Sequence, residues 1–274
     1  MLSNPIREKV DRSVMPSISG RCIDRSAFPG WRLTKPGNVI VVDFSASTSW
    51  QNWIVPSVDD ISAYLWGAGG APTYSDPGAG GYTAVDIPVS PGETLEIYAG
   101  TYHGAAAIRR GGVTLLAVAG GGGQGQSSAG TSRGGAGGGA NGQAGYQSYA
   151  PGTSGGGGTQ SSGGSGGGSN IGYPGTNGTQ NLARGGSRND GYAGCHGGGG
   201  YWGGGGGGTS YYGASNYFGG GGGGSGYINT TQGVVGNTYT GDYASPPSEA
   251  DNEYWDGSSG NAGQEGKVVI VYKK

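Results

Sequence analysis

Through the first half of the chain, apolar and β-branched residues come in short runs set between Gly, Pro and Asp. Residues 39–44 (VIVVDF), 53–56, 61–66 (ISAYLW), 83–89, 94–99 and 114–119 are each the length of one strand. Short strands at regular spacing, with turn signals between them, predict an all-β fold: an antiparallel β-sandwich-like platform with little or no α-helix. One more such run, 267–272 (KVVIVY), follows a long glycine-rich stretch. It is expected to return to the early strands and close the sheet. Residues 1–37 have a different texture, mixed and charged, broken by Pro5, Pro16 and Pro29, with one short helical option near 6–14. They read as an attachment arm, and residues 38–274 as a single glycine-rich domain.

Between about 120 and 226 the alternation gives way to glycine. Blocks at 120–123, 137–139, 155–158, 166–168, 197–200, 203–208 and 219–224 are separated by polar and aromatic stretches. No Gly-X-Y period runs through them, which excludes collagen. With 69 glycines in 274 residues and only 33% hydrophobic residues, a conventional core can serve only part of the chain. Composition alone would permit disorder, yet 18 Tyr and 6 Trp are far too many aromatics for an inert linker. Glycine loses more backbone entropy on ordering than any other residue, so ordered blocks need a compensating interaction. Close backbone packing supplies one. A polyproline II chain has three residues per turn and no internal hydrogen bonds, so neighbouring chains can satisfy its N–H and C=O groups wherever no side chain intervenes. The blocks therefore predict a bundle of polyglycine II helices, parallel and antiparallel, with the intervening stretches as turns at its two ends.

Charge and candidate chemistry narrow the function. Only 12% of residues are charged and the formal net charge is −2, so no basic surface exists to neutralise a phosphate backbone; nucleic acid is excluded as a partner. No apolar run reaches the ~18 residues of a spanning helix, and no apolar stretch follows the basic start at 1–12, so neither membrane insertion nor a secretory signal is expected. Cys22 and Cys195 lie far apart without a CxxC spacing and read as free thiols. His103 and His196 are the only histidines, and neither accompanies a G-x-S-x-G elbow, which argues against a Ser-His-Asp triad. Together with Cys22 and Cys195 they could supply four metal ligands, but the spacing follows no zinc pattern. A P-loop is missing its GK[ST]. The acidic group Asp242, Glu249, Asp251, Glu253 and Asp256, beside Tyr254 and Trp255, has the ingredients of a glycosidase carboxylate pair with a stacking ring. It reads as a solvated loop, with receptor or cation contact as the alternative. The chain is thus read as a non-enzyme with no cofactor and no metal.

The strongest functional signal is the set of aromatics in the interruptions: Tyr192, Tyr201, Trp202, Tyr211, Tyr212, Tyr217, Phe218, Tyr239, Tyr243, Tyr254 and Trp255. Exposed Tyr and Trp give rigid contact area with polar edges, as binding loops do. Equally, they could cap and pack the ends of the glycine bundle. On sequence both readings stay open.

Several segments carry a family pattern: Trp53-Ile54-Val55-Pro56, residues 61–70 (ISAYLWGAGG), Gly80-Gly81-Tyr82, Val89-Ser90-Pro91-Gly92-Glu93-Thr94, 107–123, 219–228 and 266–272. In this order they resemble the glycine-rich domain of phage tail-fibre and tail-tip proteins and, more distantly, that of the anaplastic lymphoma receptor kinase ectodomain. The resemblance covers roughly residues 38–274. It implies a sandwich-like platform beside a polyglycine helix bundle, in a virion protein exposed on the particle surface whose inter-block loops touch a host cell-surface receptor, protein or polysaccharide. Residues 1–37 would bind other virion proteins, and homo-oligomer formation is compatible with this picture. The main alternative is a structural head fibre, capsid spike or tail decoration without receptor contact. An ice-binding protein would want regular repeats with a plain face, against which the long aromatic interruptions speak. A capsule depolymerase rests on the acidic loop alone.

Overall fold

The apolar runs all become strands. The computed structural model describes residues 6–8, 38–71, 76–126, 132–149, 153–187, 195–212, 215–247 and 252–274. In chain order the strands are β1 (Ile6–Glu8), β2 (Val39–Ser45), β3 (Gln51–Ile54), β4 (Asp60–Trp66), β5 (Tyr82–Pro88), β6 (Thr94–Ala99), β7 (Ala106–Arg110) and β8 (Thr114–Ala119). They continue with β9 (Ser132–Arg133), β10 (Tyr146–Gln147), β11 (Thr209–Tyr212), β12 (Ser215–Phe218), β13 (Tyr227–Ile228), β14 (Val235–Tyr239) and β15 (Lys267–Lys273). One antiparallel sheet has the order β1-β2-β15-β4-β5-β14 and a second β13-β8-β7-β6-β3; β9 with β10, and β11 with β12, form small separate ribbons. As expected, the late strand closes the larger sheet: β15 lies between β2 and β4, with Ile270 opposite both Val42 and Ala63.

Alternation along the strands builds the core. Ile40, Val42 and Phe44 of β2, Ile61 and Leu65 of β4, and Ile270 of β15 meet Leu95 and Ile97 of β6 and Ile108 of β7, all essentially buried. Each such side chain contributes about 1.5–3 kcal/mol on leaving water. The outer faces are covered as well. Trp66, Tyr82 and Val269 carry a layer that includes Tyr64, Tyr239, Tyr254 and Trp255, while Tyr98, Ala107 and Val118 are packed by Trp50, Leu182 and Tyr227.

Residues 6–8 form a strand, where the sequence offered a helical option. The edge of β2 presents unpaired backbone groups, and pairing of Ile6 to Val42 and Glu8 to Ile40 satisfies some of them. The rest of the 6–14 stretch and of the 1–37 arm lies outside the described residues.

Sandwich strands run straight on into glycine segments. β4 continues as 67–70, 78–81 leads into β5, β8 continues as 120–124, and 219–226 leads into β13. Beside the sandwich these segments and their neighbours pack into a bundle whose hydrogen bonds repeat every three residues. Along 203–208, the N–H groups of Gly203 and Gly206 donate to Thr179 and Thr176, those of Gly204 and Gly207 to Gly198 and Cys195, and those of Gly205 and Gly208 to Gly156 and Thr153, all at 2.7–2.9 Å. Their carbonyls accept in the same rhythm: Gly203 and Gly206 from Gly164 and Gly167, Gly205 and Gly208 from Gly222 and Gly219. Residues 219–224 repeat the arrangement, with Gly221 and Gly224 donating to Gln124 and Gly121, and Gly155 and Gly158 donating to Gly220 and Gly223. The bond direction thus repeats every three residues, and the neighbours run both parallel and antiparallel to each segment.

At glycines inside these blocks the packing leaves no room for a Cβ. One built on Gly205 would be driven into the carbonyl oxygen of Ser165, which itself accepts from Gly156 N–H at 2.8 Å; one on Gly222 would strike the carbonyl of Gly156. Residues 203–208 and 219–224 are buried throughout. Buried backbone polar groups cost free energy unless paired, and the lattice pairs them.

Candidate binding surface

Because sandwich strands fix one end of the segments 67–70, 78–81, 120–124 and 219–226, the bundle has a near end at the sandwich and a far end remote from it. Segment 203–208 crosses from near to far, β11 and β12 form a hairpin at the far end, and 219–224 crosses back. The far end is built on this hairpin, in which Tyr211 is opposite Asn216, and Tyr212 pairs with Ser215 through its backbone. The turn at 168–173 docks on it. Asn170 accepts from Tyr211 N–H at 2.8 Å and returns its amide to Tyr211 O at 2.9 Å, and Thr209 N–H donates to Tyr173 O at 3.0 Å. On the other side Gln147 Nε2 holds Phe218 O at 2.8 Å, and the Tyr149 ring lies 5.8 Å from that of Tyr217.

This lacing leaves tyrosines in solvent. Tyr149 is 67% exposed, Tyr146 49%, Tyr211 46% and Tyr173 40%. Tyr243, 47% exposed, flanks them, with the Arg133 guanidinium 5.7 Å from its ring and Asp76 3.4 Å from Arg133. Hydrogen-bonded backbones on rigid segments hold these rings, so little conformational entropy remains to be lost on contact.

The sequence-derived aromatics are therefore divided among three places. Tyr211, Tyr212, Tyr217, Phe218 and Tyr243 are at or beside the far end. Tyr201 and Trp202 are at the near end, where the Tyr201 ring stacks on Tyr227 at 4.1 Å and Trp202 N–H donates to Ser225 Oγ at 3.1 Å. Tyr239, Tyr254 and Trp255 cover the larger sheet: Tyr239 stacks on Tyr82 at 5.9 Å, the Tyr254 ring lies tilted against Tyr64 at 5.2 Å, and Trp255 Nε1 donates to Ser259 O at 3.0 Å. Burial, with help from Glu253, raises the Tyr254 phenol well above its ordinary range. Tyr192 lies outside the described residues. Three members of the far end, Tyr146, Tyr149 and Tyr173, were missed by the sequence reading although they carry the same signal, an aromatic between glycine-rich segments.

The acidic stretch is occupied with its own turns. Asp242 accepts from Ala244 and Ser245 N–H, both at 2.7 Å. Asp256 accepts from Ser258 and Ser259 N–H at 2.9 and 2.7 Å. Its carboxyl is held far below the usual range: burial opposes the shift, but the hydrogen bonds from Ser259 and Ser258 and nearby Lys267 outweigh it. Glu249 and Asp251 lie outside the described residues.

His103 and His196 meet edge to face inside the bundle, ring centroids 5.8 Å apart, each with an unpartnered Nδ1. Burial, and then the charge of His196, pushes His103 down to about 4. Cys195 is a buried free thiol raised to about 12 by burial. Among the described residues no group of three His, Cys, Asp or Glu is placed to hold a metal, and no helix is long and apolar enough to cross a membrane. No family model matches the chain, and no curated protein is a significant match to it.

Proposed function

We propose that the protein is a bacteriophage virion component that binds the host cell surface through the far end of its glycine bundle. The supporting observation is the group of exposed tyrosines, Tyr146, Tyr149, Tyr173 and Tyr211, at the end of a scaffold whose hydrogen bonds leave little slack. Clustered exposed apolar area marks interaction sites, and tyrosine supplies it with a polar edge. The sandwich, with the arm at residues 1–37, faces the particle in this reading. Several copies on one virion convert a modest single contact into firm, reversible attachment. No catalytic step is part of the proposal.

Binding of the purified protein to intact host-range bacteria tests it. A Tyr149→Ala/Tyr211→Ala variant is expected to keep the wild-type unfolding midpoint and to bind about tenfold more weakly or worse, as loss of hot-spot residues would cause. Wild-type protein should also compete with phage particles for adsorption. If wild type does not bind, or the double variant binds undiminished, the fold is a stiff spacer and the structural spike reading replaces this one.

A further inference from the structure

A second aromatic site exists where the bundle meets the sandwich. Trp50, between β2 and β3, Gln180 and Asn181 from a turn between glycine segments, and Tyr201 from the turn that opens 203–208 converge on Arg109 and Tyr227 around a cleft of about 450 Å³. That volume is within the range of small-molecule sites. From this arrangement we infer that the cleft binds a neutral saccharide.

Ring faces come first. Tyr201 and Tyr227 stack at 4.1 Å with their planes 11° apart, and Tyr227 is packed on the buried patch of Tyr98, Ala107 and Val118, which anchors the pair to the sandwich. A pyranose offers a flat C–H face that seats on such an electron-rich surface. Its rim of hydroxyls needs groups that donate and accept without charge, and amides and phenols do both. These groups are available in the cleft. Among the described residues the Gln180 amide has no hydrogen-bond partner, Asn181 commits only its Oδ1, to Ala183 N–H at 2.9 Å, and the Tyr201 and Tyr227 hydroxyls have no partner.

Charge selects the neutral class. Arg109 is the single charged residue of the lining, and its guanidinium is taken: it donates to Glu96 through two bonds at 3.0 and 2.8 Å and lies 3.9 Å over the Trp50 ring. A guanidinium already matched to a carboxylate has little left for an anionic ligand. The site is at the opposite end of the bundle from the far-end tyrosines, so the inference stands apart from adhesion there.

Ligand-observed saturation-transfer NMR on the full chain, with cellobiose, maltose, lactose and N,N′-diacetylchitobiose as probes, tests it. At least one probe should show transfer to its ring C–H protons and saturate at a Kd of about 1 mM, and sialyllactose should bind no tighter than lactose. Tyr201→Ala should weaken binding about tenfold. Gln180→Ala/Asn181→Ala, which removes exposed amides and leaves the stack intact, should do likewise, and Val235→Ala, at an exposed residue outside the cleft, should change nothing. Silence from all four probes, binding that survives both cleft variants, or a preference for the sialylated sugar would overturn the inference.

Discussion

The sandwich and the glycine bundle are two halves of one domain held together by opposite means. In the sandwich, side chains such as Leu65, Ile97 and Ile270 interdigitate, and the backbone bonds only within each sheet. In the glycine blocks of the bundle no side chain intervenes and backbones contact one another directly, 203–208 and 219–224 each bonded on several sides in a three-residue rhythm. A sandwich position asks how large and how apolar a residue is. A bundle position asks only whether a Cβ exists. Hence the two regions differ in what they tolerate, and the bundle can end in long polar and aromatic turns without disturbing its interior.

Substitution of Gly205 by Ala should break this contrast open. The added methyl would displace the segment around Ser165, and with it the bonds from Gly205 N–H to Gly156 O and from Gly156 N–H to Ser165 O, 2.8 Å each. Overpacking of about 1–3 kcal/mol plus about 1–3 kcal/mol for each buried group left unpaired amounts to roughly 5 kcal/mol or more, enough to unfold the bundle. Denaturant unfolding followed by near-UV dichroism of the tyrosines would measure it. In the sandwich, Leu65→Ala is expected to cost about 2–5 kcal/mol, a conventional cavity penalty. A smaller loss for Gly205→Ala than for Leu65→Ala would break the comparison.

Acid sharpens it differently, because the buried histidine pair is in the bundle. His103 has a folded pKa of about 4 against an ordinary value of 6.5, lowered by burial first and by His196 second. The unfolded chain takes up the proton earlier, so this histidine's contribution is intact above pH 6.5, declines as pH falls towards 4 at about 1.4 kcal/mol per unit, and is spent below that, a loss of roughly 3 kcal/mol. Urea titrations across that window should show the slope, and His103→Asn, which suits the backbone φ of 67°, should reduce it, leaving the share of His196, whose pKa burial also lowers. The smallest effect is reserved for a glycine outside the lattice. Gly111, with φ 61° and open space around it, should cost only about 1–2 kcal/mol on replacement by Ala, from backbone strain alone, as thermal unfolding would record.

Much of the sandwich was legible because β2, β4, β6, β8 and β15 announce themselves as β-branched or aromatic runs. β7 did not: it opens on the small, fully buried Ala106 and Ala107 and ends on Arg109 and Arg110, so no β-branched run marks it. β14 carries Gly236 and mostly exposed residues, so no alternation marks it. The glycine blocks marked where backbones pack directly, but segments poor in glycine, around Thr153, Thr176 and Thr179, also take part by lending carbonyls. Least legible was which end each turn occupies. Tyr201 and Tyr211 are neighbours in sequence, yet residues 203–208 carry the chain the length of the bundle between them. No composition rule contains that reversal; it follows from where the sandwich strands enter.

Amide hydrogen exchange resolved at single residues tests the central claim, that a backbone lattice orders the glycine segments. The N–H groups of Gly204 to Gly208 and Gly221 to Gly224 are predicted to be protected as strongly as those of Val42 and Ile270 in the sandwich. Exchange of those glycines at the rate of an unstructured chain, beside a protected sandwich, would contradict it.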